Sequence, residues 1–126
     1  MKLPENLRYT RDHEWVRQEE NGTLSVGITD FAQGELGDIV FVELEDVGSE
    51  FDQDSIFGTV EAVKTVSELF MPVSGTILAI NEELEASPEL VNEDPYGRGW
   101  MVRIEMADSS QLDQLMSAEE YAAMVS

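Results

Sequence analysis

The 126-residue sequence contains no cysteine and a single histidine, His13. Without cysteine the chain can form no disulfide, no thiolate nucleophile and no cysteine-ligated metal site. One histidine cannot supply the histidine pair of a metal site or a catalytic relay. We expect His13 to orient neighbouring groups or to lie at the surface. Any redox chemistry must therefore come from a group attached to the chain, and no metal site is expected.

Basic residues are also scarce, since seven Lys and Arg face 27 Asp and Glu, and the formal net charge is −20. Nucleic acids require a basic surface on their partners, and anionic lipids attract basic segments. The composition therefore argues against both. It favours solubility, and it suits protein partners with basic docking faces, which gain association rate from the field of the chain.

Long hydrophobic runs are absent, and no segment approaches the length of a membrane span. The first residues lack the apolar core of a signal peptide. We therefore expect a cytoplasmic protein without membrane association. The length suits one domain with a substantial core, so we expect residues 1–126 to form a single domain. We also expect the protein to be a monomer. Nothing in the chain pairs a nucleophile with a base or forms a nucleotide loop, and we expect the polypeptide alone to catalyse no reaction.

Among the residues that are present, the segment 56–71 organises the rest. Ile56, Val60 and Ala62 alternate with Thr59 and Glu61, which is typical of a half-buried strand. A second β-favouring run follows directly after Lys64, so we expect a hairpin with Lys64 at its tip. Neither Val63 nor Lys64 favours positive φ, which predicts a type I turn rather than the Asn-Gly kind.

Turn and cap residues predict further elements before this hairpin. Asn21-Gly22 indicates a type I′ hairpin. Thr29 or Asp30 can begin a short helix that ends near residues 34–37, with Phe31 facing inward. Residues 38–44 have a continuous apolar centre, which predicts a buried strand.

A weak internal repeat links the two halves of the chain. Residues 37–42 and 75–80 each read glycine, a polar residue, isoleucine and three apolar residues. An acidic, turn-rich segment and an apolar strand follow each of them. This pattern predicts two similar strand-turn-strand halves joined by the lysine hairpin, with Lys64 at one end of a compact sandwich.

Capping patterns predict short helices towards the end of the chain. Ser87 can cap one helix with Pro88 at its first position. Asp108-x-x-Gln111 and Ser117-x-x-Glu120 have the form of capping boxes. We expect two short amphipathic helices over about residues 109–125, with their apolar stripe packed on the sandwich.

Several blocks of the sequence resemble the glycine cleavage system H protein family. The lysine hairpin, read as Glu61-Ala62-Val63-Lys64 followed by Pro72-Val73-Ser74-Gly75, resembles the lipoyl-lysine hairpin of that family. Other similar blocks cover nearly the whole chain; they are His13-Glu14-Trp15, residues 27–44, Ser87 to Asn92, Pro95-Tyr96 and Gly99-Trp100-Met101. The sequence departs from the family at Glu45, where proline is usual, and at Ala62 and Thr65, where Ser and Ala are commoner.

The resemblance implies a mostly β fold, a biotinyl/lipoyl-like barrel-sandwich hybrid of two quasi-symmetric halves with short peripheral helices and C-terminal helices. It implies lipoic acid in amide linkage on Lys64. The lipoyl-lysine side chain would act as a flexible arm. This arm would carry the aminomethyl group of glycine from a pyridoxal-phosphate glycine decarboxylase to a tetrahydrofolate-dependent aminomethyltransferase. Dihydrolipoamide dehydrogenase would then reoxidise it, and a lipoate ligase or a lipoyl/octanoyl transferase would attach it.

Loaded with an aminomethyl group, such an arm carries a cation and is chemically fragile. A carboxylate on the body of the protein could hold the cation and shield the arm between visits to partners. We expect Glu14 and Glu68 to be the shielding residues, with Asp12 as a third candidate.

Alternative interpretations remain open on the sequence alone. Val63 and Thr65 flank the lysine, which disfavours a biotin carrier, and the Asp-Lys-Ala pattern of 2-oxoacid dehydrogenase lipoyl domains is absent. An H-like protein could instead relay lipoate to other lipoyl enzymes. The chain could also be an unmodified interaction module in which Lys64 is an ordinary solvated charge. The second lysine, Lys2, lies near the terminus, which we expect to be mobile.

Overall fold

The computed structural model describes residues 3–125, apart from the side chain of Asn21, so Lys2 lies outside the described residues. Nine strands within this range form two antiparallel sheets. They are β1 (Arg8–Tyr9), β2 (Glu14–Gln18), β3 (Thr23–Ile28), β4 (Ile39–Leu44), β5 (Glu50–Phe51), β6 (Ile56–Ala62), β7 (Val66–Phe70), β8 (Gly75–Ile80) and β9 (Val102–Met106). The large sheet has the order β1-β2-β3-β9-β8-β5, and the small sheet has the order β4-β6-β7.

Short helices surround the sheets, as predicted. They are α1 (Asp30–Leu36), α2 (Glu83–Ala86), α3 (Leu90–Glu93) and α4 (Ala118–Val125), with 3₁₀ turns at Glu20–Gly22 and Ser109–Gln114. The mostly β architecture of two sheets is thereby confirmed, and neither sheet closes on itself as a barrel.

The main core lies between the two sheets. Val26 and Ile104 from the large sheet and Val60 and Leu69 from the small sheet belong to one buried apolar cluster. Each fully buried side chain of this kind contributes about 1.5–3 kcal/mol. A second cluster lies beneath α4, where the rings of Tyr9 and Tyr121 stack with their centroids 4.9 Å apart. Because the two sheets pack against each other, the position of the lysine hairpin relative to the core is fixed.

The two halves predicted from the internal repeat have the same irregularity. β4 pairs with β6 and has a register shift between Ile39 and Phe41, and β8 pairs with β9 and has one between Ile77 and Ala79. Each shift falls at the same distance from the glycine that opens the repeat. The residues between, Val40 and Leu78, are 47% and 43% exposed. The bulges therefore direct one apolar side chain of each half towards solvent.

Helix α1 forms as its cap residues predict. The hydroxyl of Thr29 accepts a hydrogen bond from Ala32 N at 3.1 Å, which satisfies a free N–H of the first turn. Gly37 ends the helix with a φ of +79°, a conformation that glycine adopts without steric cost. Phe31 is partly buried against the ring of His13, with the centroids 5.0 Å apart.

Two local predictions were only partly correct. β2 and β3 form the predicted hairpin, but Asn21-Gly22 is not a type I′ turn, because the connection is a longer 3₁₀ turn closed by a hydrogen bond from Glu19 N to Thr23 O. The strand predicted at 38–44 formed but is only half buried, because Ile39 and Val42 are buried whereas Val40 and Phe41 are about half exposed. β4 also lies at the edge of the small sheet. An apolar run cannot distinguish a central strand from an edge strand with a bulge.

The capping predictions had mixed outcomes. Ser87 ends α2 instead of capping α3, whose N-cap residue is Glu89. The segment after Asp108 is a 3₁₀ turn and not an amphipathic α-helix, and the side chain of Gln111 accepts from Ser74 N instead of closing the box. The second box formed in full, since Ser117 and Glu120 exchange both bonds.

Glu45 lies at the position where the sequence resemblance leads us to expect proline. Its N–H donates to Phe57 O at 3.0 Å and extends the pairing of β4 with β6. Proline could not make this bond, since it has no backbone N–H.

Gly58 lies where β4 and β6 approach closely, and a Cβ built there collides with the carbonyl oxygen of Glu43. Gly58→Ala is therefore expected to lower the free energy of unfolding by about 2 kcal/mol. Gly34→Ala is the matched control, because it lies in α1 with no atom within 4 Å of its Cβ position. This control should raise stability by about 0.5 kcal/mol. Urea unfolding checks both values, and equal effects of the two substitutions would contradict the clash.

Candidate functional site

The turn between β6 and β7 presents Lys64 at its tip. Glu61 pairs with Val66, and Ala62 N donates to Thr65 O at 2.7 Å. Val63 and Lys64 are therefore the two central residues of the turn. The only described non-glycine residues with positive φ are His13 and Asp54, so the turn is not of type I′ or II, both of which require positive φ at a central position. The predicted hairpin is confirmed.

The side chains at the tip lie in solvent. Lys64 is exposed, and its neighbours Val63 and Val66 are 72% and 58% exposed. Val63 N donates to Asp38 O at 3.2 Å, which ties the tip to the start of β4. No carboxylate among residues 3–125 forms an ion pair with Lys64. The amine is thus held on a rigid element and is open to approach.

A cavity of about 370 Å³ lies along β7, in the size range of small-ligand sites. Its walls come from α1, β7 and the connection between β1 and β2. The lining residues are Asp12, His13, Ile28, Phe31, Ala32, Glu35, Leu36, Val60, Ser67, Glu68 and Leu69. Apolar residues of α1 and the strands therefore line one space together with the acidic residues Asp12, Glu35 and Glu68.

The three predicted acidic residues do not share one environment in the structure. Asp12 and Glu68 line the cavity, whereas Glu14 is only 1% exposed. Glu35 also lines the cavity, and our sequence reasoning missed it. It lies four residues after Phe31, which places both on the same face of α1, and this spacing could have identified it.

Glu14 links the two sheets from a buried position at the start of β2. Its Oε1 accepts from Thr10 Oγ1 at 3.0 Å, and its Oε2 accepts from Phe70 N of β7 at 2.8 Å. Burial raises the pKa of Glu14 to about 8, with smaller contributions from Asp12 and Asp54, while its two hydrogen bonds oppose the shift. The Glu14 side chain therefore connects the two sheets by its hydrogen bonds. Its carboxyl group retains a proton and does not face solvent.

His13 has a strained backbone beside the cavity, with a φ of +67°. Its Nδ1 lies 2.8 Å from the hydroxyl of Tyr121, and that hydroxyl lies 2.8 Å from Thr29 Oγ1. Burial lowers the pKa of His13, although Asp12 and Glu35 oppose the shift, so the imidazole is neutral near pH 7. An orienting role for His13 stays a prediction.

No three histidine, aspartate or glutamate side chains among residues 3–125 are grouped to hold a metal ion. No helix in the same range is long and apolar enough to cross a membrane.

A two-sheet domain that holds an exposed lysine at a hairpin tip, with a cavity beside the outgoing strand, has the construction of a lipoyl-type carrier domain. The sequence model of the glycine cleavage H-protein family matches residues 7–126. The glycine cleavage system H protein of Salinibacter ruber is 68% identical, over 97% of this chain and 98% of the relative. That of Staphylococcus saprophyticus is 58% identical, over 99% of this chain and 98% of the relative.

A solved structure agrees with these sequence relatives. The crystal structure of a glycine cleavage system H protein from Mycobacterium marinum superposes with a TM-score of 0.90 at 37% identity, and it covers 98% of both chains. The chain therefore belongs to the glycine cleavage H-protein family. This family comprises non-catalytic carriers with lipoic acid covalently attached to a lysine, which work with the other enzymes of glycine cleavage.

Proposed function

We propose that this chain is the lipoyl carrier of a glycine cleavage system and that Lys64 is its attachment residue. The observation that carries the assignment is the position of Lys64 at the exposed tip of a rigid hairpin. Lys64 is also the only lysine among residues 3–125. An amine on a tight, exposed turn is accessible to an acylating enzyme without unfolding of the body.

The residues around Lys64 fit a lipoyl group. Acylation removes the lysine charge, so the side chain can lie on protein without desolvating an ammonium. Glu68 is four residues from Lys64 along β7, about 13 Å at roughly 3.3 Å per residue, so the cavity lies along the strand that leaves the tip. The lipoyl group supplies a dithiol/disulfide couple, which a chain without cysteine lacks.

The cavity residues would hold the cargo end of the arm. Asp12, Glu35 and Glu68 line the cavity, and carboxylates stabilise a cationic amine by charge-assisted hydrogen bonds. The apolar residues of α1 would exclude water from the same space. Glu14 would support the cavity indirectly, because its Oε2 accepts a hydrogen bond from Phe70 N and thereby fixes the position of β7.

We also propose which partners this carrier serves. They are a glycine decarboxylase, an aminomethyltransferase, a dihydrolipoamide dehydrogenase, and a lipoate ligase or lipoyl/octanoyl transferase for attachment. The net charge of −20 supports partners with basic docking faces. A tethered arm would raise the effective concentration of the cargo at each of their active sites. A cytoplasmic location remains a prediction.

Glu68→Gln combined with Asp12→Asn is expected to raise the decomposition rate of the loaded carrier several-fold. The neutral side chains keep the shape of the cavity but lose the attraction for the cationic amine. Glu43→Gln is the matched control, because Glu43 is exposed on the small sheet and does not line the cavity. Release of ammonia from the isolated loaded protein gives the rate. A rate equal to that of the control variant would refute the shielding role.

A reconstituted glycine–bicarbonate exchange assay tests the proposed function directly. The lipoylated chain should support exchange by a glycine decarboxylase, and the unmodified chain should not. A carrier that accepts lipoate but supports no exchange would instead be a relay for other lipoyl enzymes. A chain that accepts no lipoate would be an unmodified interaction module.

A further inference from the structure

The outer face of the small sheet carries exposed apolar residues beside Lys64. Phe41, Glu61 and Val66 are cross-strand partners that form one row across β4, β6 and β7. Phe41 is 45% exposed and Val66 is 58% exposed. The β4 bulge adds Val40, and the turn adds Val63 at the tip itself. We call the surface formed by Val40, Phe41, Val63 and Val66 the tip face.

The tip face lies in an acidic part of the chain. Between residues 38 and 71 there are nine acidic side chains, and Lys64 is the only basic one. Asp38, Glu43, Glu61 and Glu68 are all exposed on this sheet or at its tip. An apolar patch rimmed by one sign of charge is typical of a surface that binds a partner with the opposite charge.

Charge selects the class of partner. A second copy of this chain also has a net charge of −20, so two tip faces would repel each other. Nucleic acids and anionic lipids are repelled for the same reason. The class of partner that remains for the tip face is a protein with an apolar contact surface flanked by arginine or lysine.

The length of the unmodified Lys64 side chain indicates which partner protein binds the tip face. Its stem has four carbons, so an enzyme that modifies the amine must bring its active site to the tip. Partners that act on the cargo are reached through the much longer acylated arm and have no such requirement. We propose that the tip face is the docking surface for the enzyme that acylates Lys64, and this inference rests on the proposed function.

The reaction at this surface is an acyl transfer. The neutral Lys64 amine attacks the acyl carbon of lipoyl-adenylate, which the ligase makes from lipoate and ATP with loss of pyrophosphate. An amide bond forms, the bond from the acyl carbon to the phosphate oxygen breaks, AMP leaves, and the amine loses a proton. Contacts to the tip face would hold the amine at the acyl carbon, so their loss should raise KM for the carrier.

The quasi-symmetry of the fold provides a matched control. Val40 and Leu78 occupy equivalent bulges and have similar exposure, but Leu78 lies on β8 of the large sheet. We expect Val40→Ser to raise KM about tenfold with kcat unchanged, and Leu78→Ser to stay within twofold of the unsubstituted chain. The assay measures initial rates of mass increase with a purified lipoate–protein ligase, lipoate and ATP, at several concentrations of unmodified carrier.

Urea unfolding of both variants checks that their stabilities match. Val66→Ser is the second variant should Val40→Ser fail to fold, and it should raise KM similarly. An unchanged KM for the tip-face variants, or an equal rise for Leu78→Ser, would overturn the docking surface and leave the attachment site standing. Failure of the unsubstituted chain to gain mass would instead refute the proposed function.

Discussion

Lys64→Arg is expected to reduce glycine–bicarbonate exchange to the background measured without carrier. Arginine keeps the positive charge but cannot be acylated under these conditions, so the variant would carry no arm. The unmodified side chain is exposed and forms no ion pair among the described residues. The substitution should therefore change the free energy of unfolding by less than about 0.5 kcal/mol.

The second lysine of the sequence supplies the control for this experiment. Lys2→Arg should retain full exchange activity and a full mass increase after incubation with ligase, lipoate and ATP. Exchange that survives in Lys64→Arg, with a mass increase still present, would place the arm elsewhere. A loss of exchange accompanied by a large loss of stability would indicate that Lys64 has a structural role.

Raising the pH from 5 to 8 is expected to destabilise the protein through Glu14. Its pKa is about 8 in the folded chain and 4.5 when solvated. The folded state therefore binds more protons than the unfolded state between these values, and stability falls as the pH rises. The slope reaches about 1.4 kcal/mol per pH unit, or roughly 3 kcal/mol over this interval. The contribution is fully present below pH 4.5 and lost above pH 8.

Glu14→Gln isolates this contribution from the other titrating groups. Glutamine can still accept from Phe70 N and can donate to Thr10, so both hydrogen bonds of the buried side chain are preserved. Urea unfolding of the two proteins at pH 5, 6, 7 and 8 gives the difference in the free energy of unfolding. This difference should change by roughly 3 kcal/mol in favour of Glu14→Gln as the pH rises. Parallel curves would show that Glu14 does not hold a proton in the folded state.

Local chemistry explains which parts of the structure the sequence predicts well. The lysine hairpin depends on alternating residues and a short turn, and α1 depends on Thr29 and Gly37. The last helix depends on the reciprocal bonds of Ser117 and Glu120. In each case the residues that determine the structure are neighbours in the chain, so their identities suffice.

The predictions that were wrong or incomplete depend on contacts between distant segments. Whether residues 38–44 form a central or an edge strand depends on what lies beside β4. Glu14 is buried because β7 lies against the start of β2 and its Phe70 N–H needs an acceptor. Glu35 lines the cavity because α1 lies opposite β7. The spacing of Glu35 from Phe31 indicates its face of α1, but no local pattern in the sequence reports which distant segment lies against β4, β2 or α1.

The central claim is that one amine, Lys64, carries the prosthetic group, and peptide mass mapping tests it most directly. The chain is incubated with a lipoate–protein ligase, lipoate and ATP, and is then cleaved and mapped across residues 56–71 and across the peptide that contains Lys2. We predict a single lipoyl adduct, located on Lys64. An adduct confined to Lys2, or no adduct under conditions in which a known carrier is fully modified, would contradict the account.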